Sequence, residues 1–72
     1  MFNVFDFVDE ERKVKITFQD DTFAIGYIES VDDEEESELG EPGITLNEER
    51  GGYFGLAQSE IKSIEVLQQV IL

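Results

Sequence analysis

Carboxylates dominate the chemistry open to this chain: 18 Asp and Glu face 5 Lys and Arg in 72 residues, a formal net charge of −13. General acid–base catalysis needs such groups held apart in a dry cleft with tuned pKa values. Seven of them instead crowd into Asp32–Glu41 without a single base, and a solvated segment explains that run better than a catalytic pair. The chain has no His and no Cys. Ser-His-Asp and Cys-His nucleophiles are thereby excluded, as are disulfides and the thiolate and imidazole ligands that most transition-metal sites use. Lys13, Lys15 and Lys62 stand in no pattern that marks a Lys-assisted nucleophile.

Two further motifs need weighing. Gly51-Gly52-Tyr53-Phe54-Gly55 has the glycines of a phosphate loop but not the Lys-Ser/Thr that follows them; a hairpin turn accounts for it better. The acidic run lacks the D-x-[DN]-x-[DN]-G spacing of an ordered calcium loop. The expectation is no enzyme activity, no cofactor and no metal. Tyr27, Tyr53 and Phe54 could stack on bases beside Arg50, but one Arg does not offset the surrounding negative charge.

The elements that carry these residues are short. Phe2, Phe5 and Val8 recur at threes and predict one short N-terminal amphipathic helix, while Phe5 and Phe7 would also suit a strand. Val14, Ile16 and Phe18 alternate with polar partners, the period of a half-buried strand. Asp20-Asp21-Thr22 forms a turn, and a second strand runs through Phe23, Ile25 and Tyr27 with Gly26 at its centre. A mid-strand glycine marks a bend or a close backbone approach. The acidic loop, 32–42, follows and closes on Gly40-Glu41-Pro42-Gly43; its like charges argue against regular structure. Ile44 and Leu46 mark a third strand, Arg50-Gly51-Gly52 a tight turn, and Tyr53 to Ala57 a fourth strand. Ser59-Glu60 suits a helical turn before a fifth strand holding Ile61, Ile64 and Val66. The expected interior comprises Val14, Ile16, Phe18, Ile25, Ile64 and Val66. Five short strands at this spacing read as one mainly β domain over residues 1–72, a small strongly bent barrel.

This order of signals resembles the Sm-like (LSm) family, a five-stranded, strongly bent SH3-like barrel. Val14, Ile16, Phe18 and Asp20 match positions of its V-x-I-x-F-x-D-G pattern. Gly26, Asp32, Ile61 and Ile64 match the mid-strand glycine, the closing Asp and the paired-Ile motif. The resemblance implies the barrel and ring-type pairing of strand edges. RNA-binding members carry an Asn in the loop after strand two and an Arg-Gly pair before the last motif. Here the acidic loop and Ala57-Gln58 stand in those places, so the RNA-reading part of the family pattern is missing.

The charge repels phosphate backbones and anionic membranes and attracts basic partners. No apolar run reaches the roughly 18 residues of a membrane span, and the acidic N-terminus differs from a signal peptide, so a cytoplasmic location is expected. The functional expectation is a protein-interaction or assembly module that forms homo-oligomers or binds a basic protein. A divergent RNA binder and an acidic nucleic-acid mimic are the alternatives. Its candidate surface comprises Asp32, Asp33, Glu34, Glu35, Glu36 and Glu38 together with the apolar tail residues Val70, Ile71 and Leu72.

Overall fold

A computed structural model describes residues 3–37 and 40–67. Val14–Phe18 (β1), Phe23–Asp32 (β2), Gly43–Glu48 (β3), Tyr53–Ala57 (β4) and Ile61–Val66 (β5) form one antiparallel sheet in the order β4-β3-β2-β1-β5. Among the described residues the helical elements are two 3-10 turns, Val4–Phe7 (η1) and Gln58–Glu60 (η2). The N-terminal helix is therefore a single tight turn, with the Asn3 side chain accepting the Phe5 amide at 3.0 Å. Its buried residue is Val4, whereas Phe5 and Val8 of the expected apolar stripe are exposed. A turn this short presents one residue inward, not a face repeating every three or four.

The sheet is open but curled. Flat, four inter-strand spacings of about 4.8 Å would separate β4 from β5 by about 19 Å. Gln58–Glu60 joins them in 3-10 geometry, which advances only about 8 Å over four residue steps. The outermost strands can be joined so briefly only if the sheet rolls toward itself.

β2 carries much of that curvature. Its first half pairs with β1 and its second with β3, and Gly26 belongs to both ladders, opposite Val14 and opposite Glu48. A Cβ at Gly26 would run into the Asn47 carbonyl oxygen and lie 2.8 Å from the Glu48 Cα. The close approach read from the sequence is thus a backbone crossing that no side chain fits.

Val14 and Ile16 of β1, Ile44 and Leu46 of β3, Ile61 of β5 and Val4 of η1 form the buried core, with Phe18, Ala24, Ile28, Leu56, Ile64 and Val66 packed around it. Ile25 is not among them. Cross-strand partners share a face, and Ile16 pairs with Ala24 while Val14 pairs with Gly26. The register therefore turns Ala24, Gly26 and Ile28 of β2 inward and Phe23, Ile25 and Tyr27 to the other face. The larger residues at the start of the strand pointed to the wrong face, and only at Gly26 does the crossing with β3 exclude a side chain.

The turns form as the sequence reads. Gly51 and Gly52 take φ values of 105° and 104°, and the Glu48 amide donating to the Gly52 carbonyl and the Gly51 amide donating to the Glu48 carbonyl close the β3–β4 hairpin. In the β1–β2 turn Asp21 adopts φ 70° where the Sm-like pattern has glycine. Asp20 supports it by accepting from the Thr22 amide at 3.0 Å and from its hydroxyl.

Candidate interaction surface

The described part of the acidic run is more ordered than its charge predicts. Asp32 is the last residue of β2, paired with Gly43, so the connection proper begins one residue later. The Asp33 carboxylate accepts the amides of Glu35 and Glu36 at 3.0 and 2.9 Å, and its carbonyl accepts the Ser37 amide at 3.0 Å. One capped turn results, its Glu34, Glu35 and Glu36 side chains pointing into water. Local Asx bonding outweighs repulsion between carboxylates that water already screens. Among the described residues no three carboxylates converge to hold a metal ion. Glu38, Val70, Ile71 and Leu72 lie outside the described residues.

Two residues that sequence reasoning passed over hold the open end of the sheet. Glu41, counted only as one more acid, accepts the Ser59 amide at 2.7 Å and the Ser59 hydroxyl at 3.0 Å. Gln58 donates its amide to the Pro42 carbonyl at 2.8 Å, and its side-chain oxygen accepts the Val4 amide at 3.0 Å. Gln58 thus ties η1, the end of the acidic connection and η2 together. A single polar side chain bonding a residue 54 positions away leaves no local signal in sequence.

The free edges differ in their side chains. On β5 the register shifts against β1 between Thr17 and Phe18, leaving Lys62 as an extra, bulged residue, and Glu65 follows on the same strand. Charges and bulges are the usual means of keeping an edge from pairing with another chain. β4 reads Tyr-Phe-Gly-Leu-Ala and carries no charge, proline or bulge. Its ladder bonds fall on even positions, as the Gln58–Pro42 and Glu48–Gly52 bonds show, so alternation directs the amides and carbonyls of Tyr53, Gly55 and Ala57 away from β3. Glu60 takes the Ala57 amide at 2.9 Å; those of Tyr53 and Gly55 face the open edge. Tyr53 is 67% exposed and Phe54 46%.

Beside this edge, Phe18, Phe23, Leu46, Phe54 and Leu56 line a cleft of about 190 Å³. A wider depression of about 510 Å³ continues it across Phe18 and Leu56 toward η2. The ionisable side chains in these walls are Glu48, Asp20 and Glu60, all acids.

All five bases are engaged within the chain. Arg12 pairs with Glu10, Lys13 with Glu49, Arg50 with Glu48 and Lys62 with Asp21, at 2.8, 2.9, 3.5 and 2.7 Å. Lys15 lies over the Phe23 ring, 4.5 Å from its centroid. The Arg12 side chain, with the Arg12 amide, holds the Glu10 carboxyl below the usual carboxylate range. The Thr22 hydroxyl and amide do the same to Asp20, and the Glu49 carboxylate raises Lys13. These exposed pairs contribute little to stability, but they leave the uncompensated charge of the surface entirely negative.

No protein-family model, curated protein or solved structure matches the chain. No helix among the described residues is long and apolar enough to cross a membrane.

Proposed function

We propose that the chain is a non-enzymatic protein-interaction module, a small open barrel of the Sm-like and SH3-like kind, whose working surface is the β4 edge. The observation that carries this reading is the uncharged, unbulged β4 with the outward amides and carbonyls of Tyr53 and Gly55. Such an edge is a template for a strand from another chain. The brief η2 link between the outermost strands and the crossing at Gly26 support the barrel. In the free protein, copies associate by this edge, since added pairing buries Tyr53 and Phe54 and enlarges a core that is small alone. The engagement of every Lys and Arg counts against RNA, whose binding draws on free bases to displace counterions.

Sedimentation of the whole chain across a concentration series, at low and high salt, tests self-association. The expected result is a mass above the monomer that rises with salt, because copies of charge −13 repel less when screened. Gly55→Pro removes an edge-facing amide without touching the β3 ladder and should return the chain to monomer. A monomer at every salt and concentration defeats self-assembly.

A further inference from the structure

From the charge and geometry around β4 we infer that its edge receives an extended, lysine- or arginine-bearing segment of a partner protein, which adds to the sheet as a further strand. This rests on β4 being the working surface and names what fills it.

Gly55 supplies the first argument. It lies mid-strand, has no positive φ, and a Cβ built on it meets nothing within 4 Å among the described residues. Among the described residues nothing requires a glycine there, and glycine costs a strand both stability and packing surface. Gly26 is accounted for by a backbone inside the molecule. What remains for Gly55, on an exposed edge with its own amide and carbonyl directed outward, is close approach by a backbone from outside.

The lining of the cleft selects the chemistry of that backbone. The cleft beside β4 has an apolar floor, including Phe18, Phe54 and Leu56, and its walls bring only acids, Asp20, Glu48 and Glu60. A strand presents alternate side chains to opposite faces. The row of an added strand that enters the cleft meets both its apolar floor and its acids. A lysine or arginine there lays its stem on Phe54 and Leu56 and brings its charge to these carboxylates, while the alternate row lies on the opposite face beside Tyr53. Each of the chain's own bases already has an internal partner, so the countercharge has to arrive with the ligand. A second copy brings −13 to the same place and is the weaker occupant when a cationic segment is present.

The test titrates the whole chain with an end-capped eight-residue peptide of alternating valine and lysine, and in parallel with its valine–glutamate counterpart. Amide exchange at Tyr53 and Gly55 and calorimetry are the readouts. The lysine peptide should protect both amides, bind at least about tenfold more tightly than the glutamate peptide, and weaken about tenfold between low and high salt. Gly55→Pro should weaken it about tenfold or more with the circular dichroism spectrum retained. If that variant fails to fold, Tyr53→Lys, at an exposed side chain, should weaken the lysine peptide by charge repulsion. Lysine-peptide binding that leaves Tyr53 and Gly55 unprotected would overturn the inference and assign the attraction to the acidic segment. Equal binding of the glutamate peptide would overturn the choice of charge while leaving the edge as the site. A chain that assembles through β4 and resists the peptide keeps the interaction module but makes a second copy its occupant. No protection at β4 by any peptide, in a chain that stays monomeric, defeats both readings.

Discussion

β2 and β4 each carry one glycine at mid-strand, and the two are there for opposite reasons. At Gly26 the backbones of β1, β2 and β3 meet so closely that a Cβ would strike the Asn47 carbonyl and the Glu48 Cα. At Gly55 the same substitution meets nothing within 4 Å among the described residues. The first glycine is required by the fold of a single chain. The second is required by no contact among the described residues. Nearby features agree with the contrast. β5, the other outermost strand, is bulged at Lys62 and carries Glu65, while β4 shows an uncharged edge with exposed aromatics. A glycine therefore says little by itself; what a Cβ would touch decides whether it belongs to the fold or to an interface.

The sharpest way to break this comparison is Gly26→Ala. Overpacking against backbone that has nowhere to move should cost about 3 kcal/mol, close to the whole stability expected of a core this small. Urea denaturation followed by circular dichroism should show the variant largely unfolded, and a wild-type midpoint would refute the crossing.

Gln58→Ala tests the tie at the end of β4. It leaves the half-buried Val4 amide without its 3.0 Å acceptor, at a cost of about 1–2 kcal/mol. The amides of η1 should exchange faster while those of the β1–β2 hairpin hold. Equal loss across the sheet would mean that η1 is not a separable contact.

Gly55→Thr is expected to act in the opposite direction to Gly26→Ala. With open space at the Cβ and a β-branched side chain suited to a strand, it should raise stability by up to about 1 kcal/mol and at the same time weaken association at β4. A destabilised variant would show that this glycine serves the fold after all.

The smallest effect distinguishes the two hairpin turns by pH. Asp20 has its carboxyl lowered by the Thr22 hydroxyl and amide, so its support of the β1–β2 turn is complete above the ordinary carboxylate range. That support is lost as pH falls through its depressed value. The Gly51-Gly52 turn depends on glycine φ values, and its Glu48 carboxylate pairs with the exposed Arg50 side chain at 3.5 Å rather than with a turn amide. Acidification should speed amide exchange around Thr22 more than around Gly51, once both are corrected for the intrinsic pH dependence of exchange. Parallel changes would remove Asp20 from the turn.

The sequence alone determined where the strands lie and where the chain reverses. Alternation at Val14, Ile16 and Phe18, turn chemistry at Asp20-Asp21-Thr22 and Gly51-Gly52, and the breaker cluster before Ile44 are local signals, set by the conformations those residues favour within a few positions. The glycine crossing in β2 was legible for the same reason, as an anomaly within one strand. Which face of β2 points inward was not, because β2 is apolar on both faces and only its pairing with β1 chooses Ala24 and Gly26 over Phe23 and Ile25. Nor were the roles of Glu41 and Gln58, whose partners lie 18 and 54 positions away. The acidic residues drew attention by number, yet the candidate surface lies on a strand without charge. An edge is defined by the neighbour a strand lacks, and that is settled only when the whole sheet has been put in order.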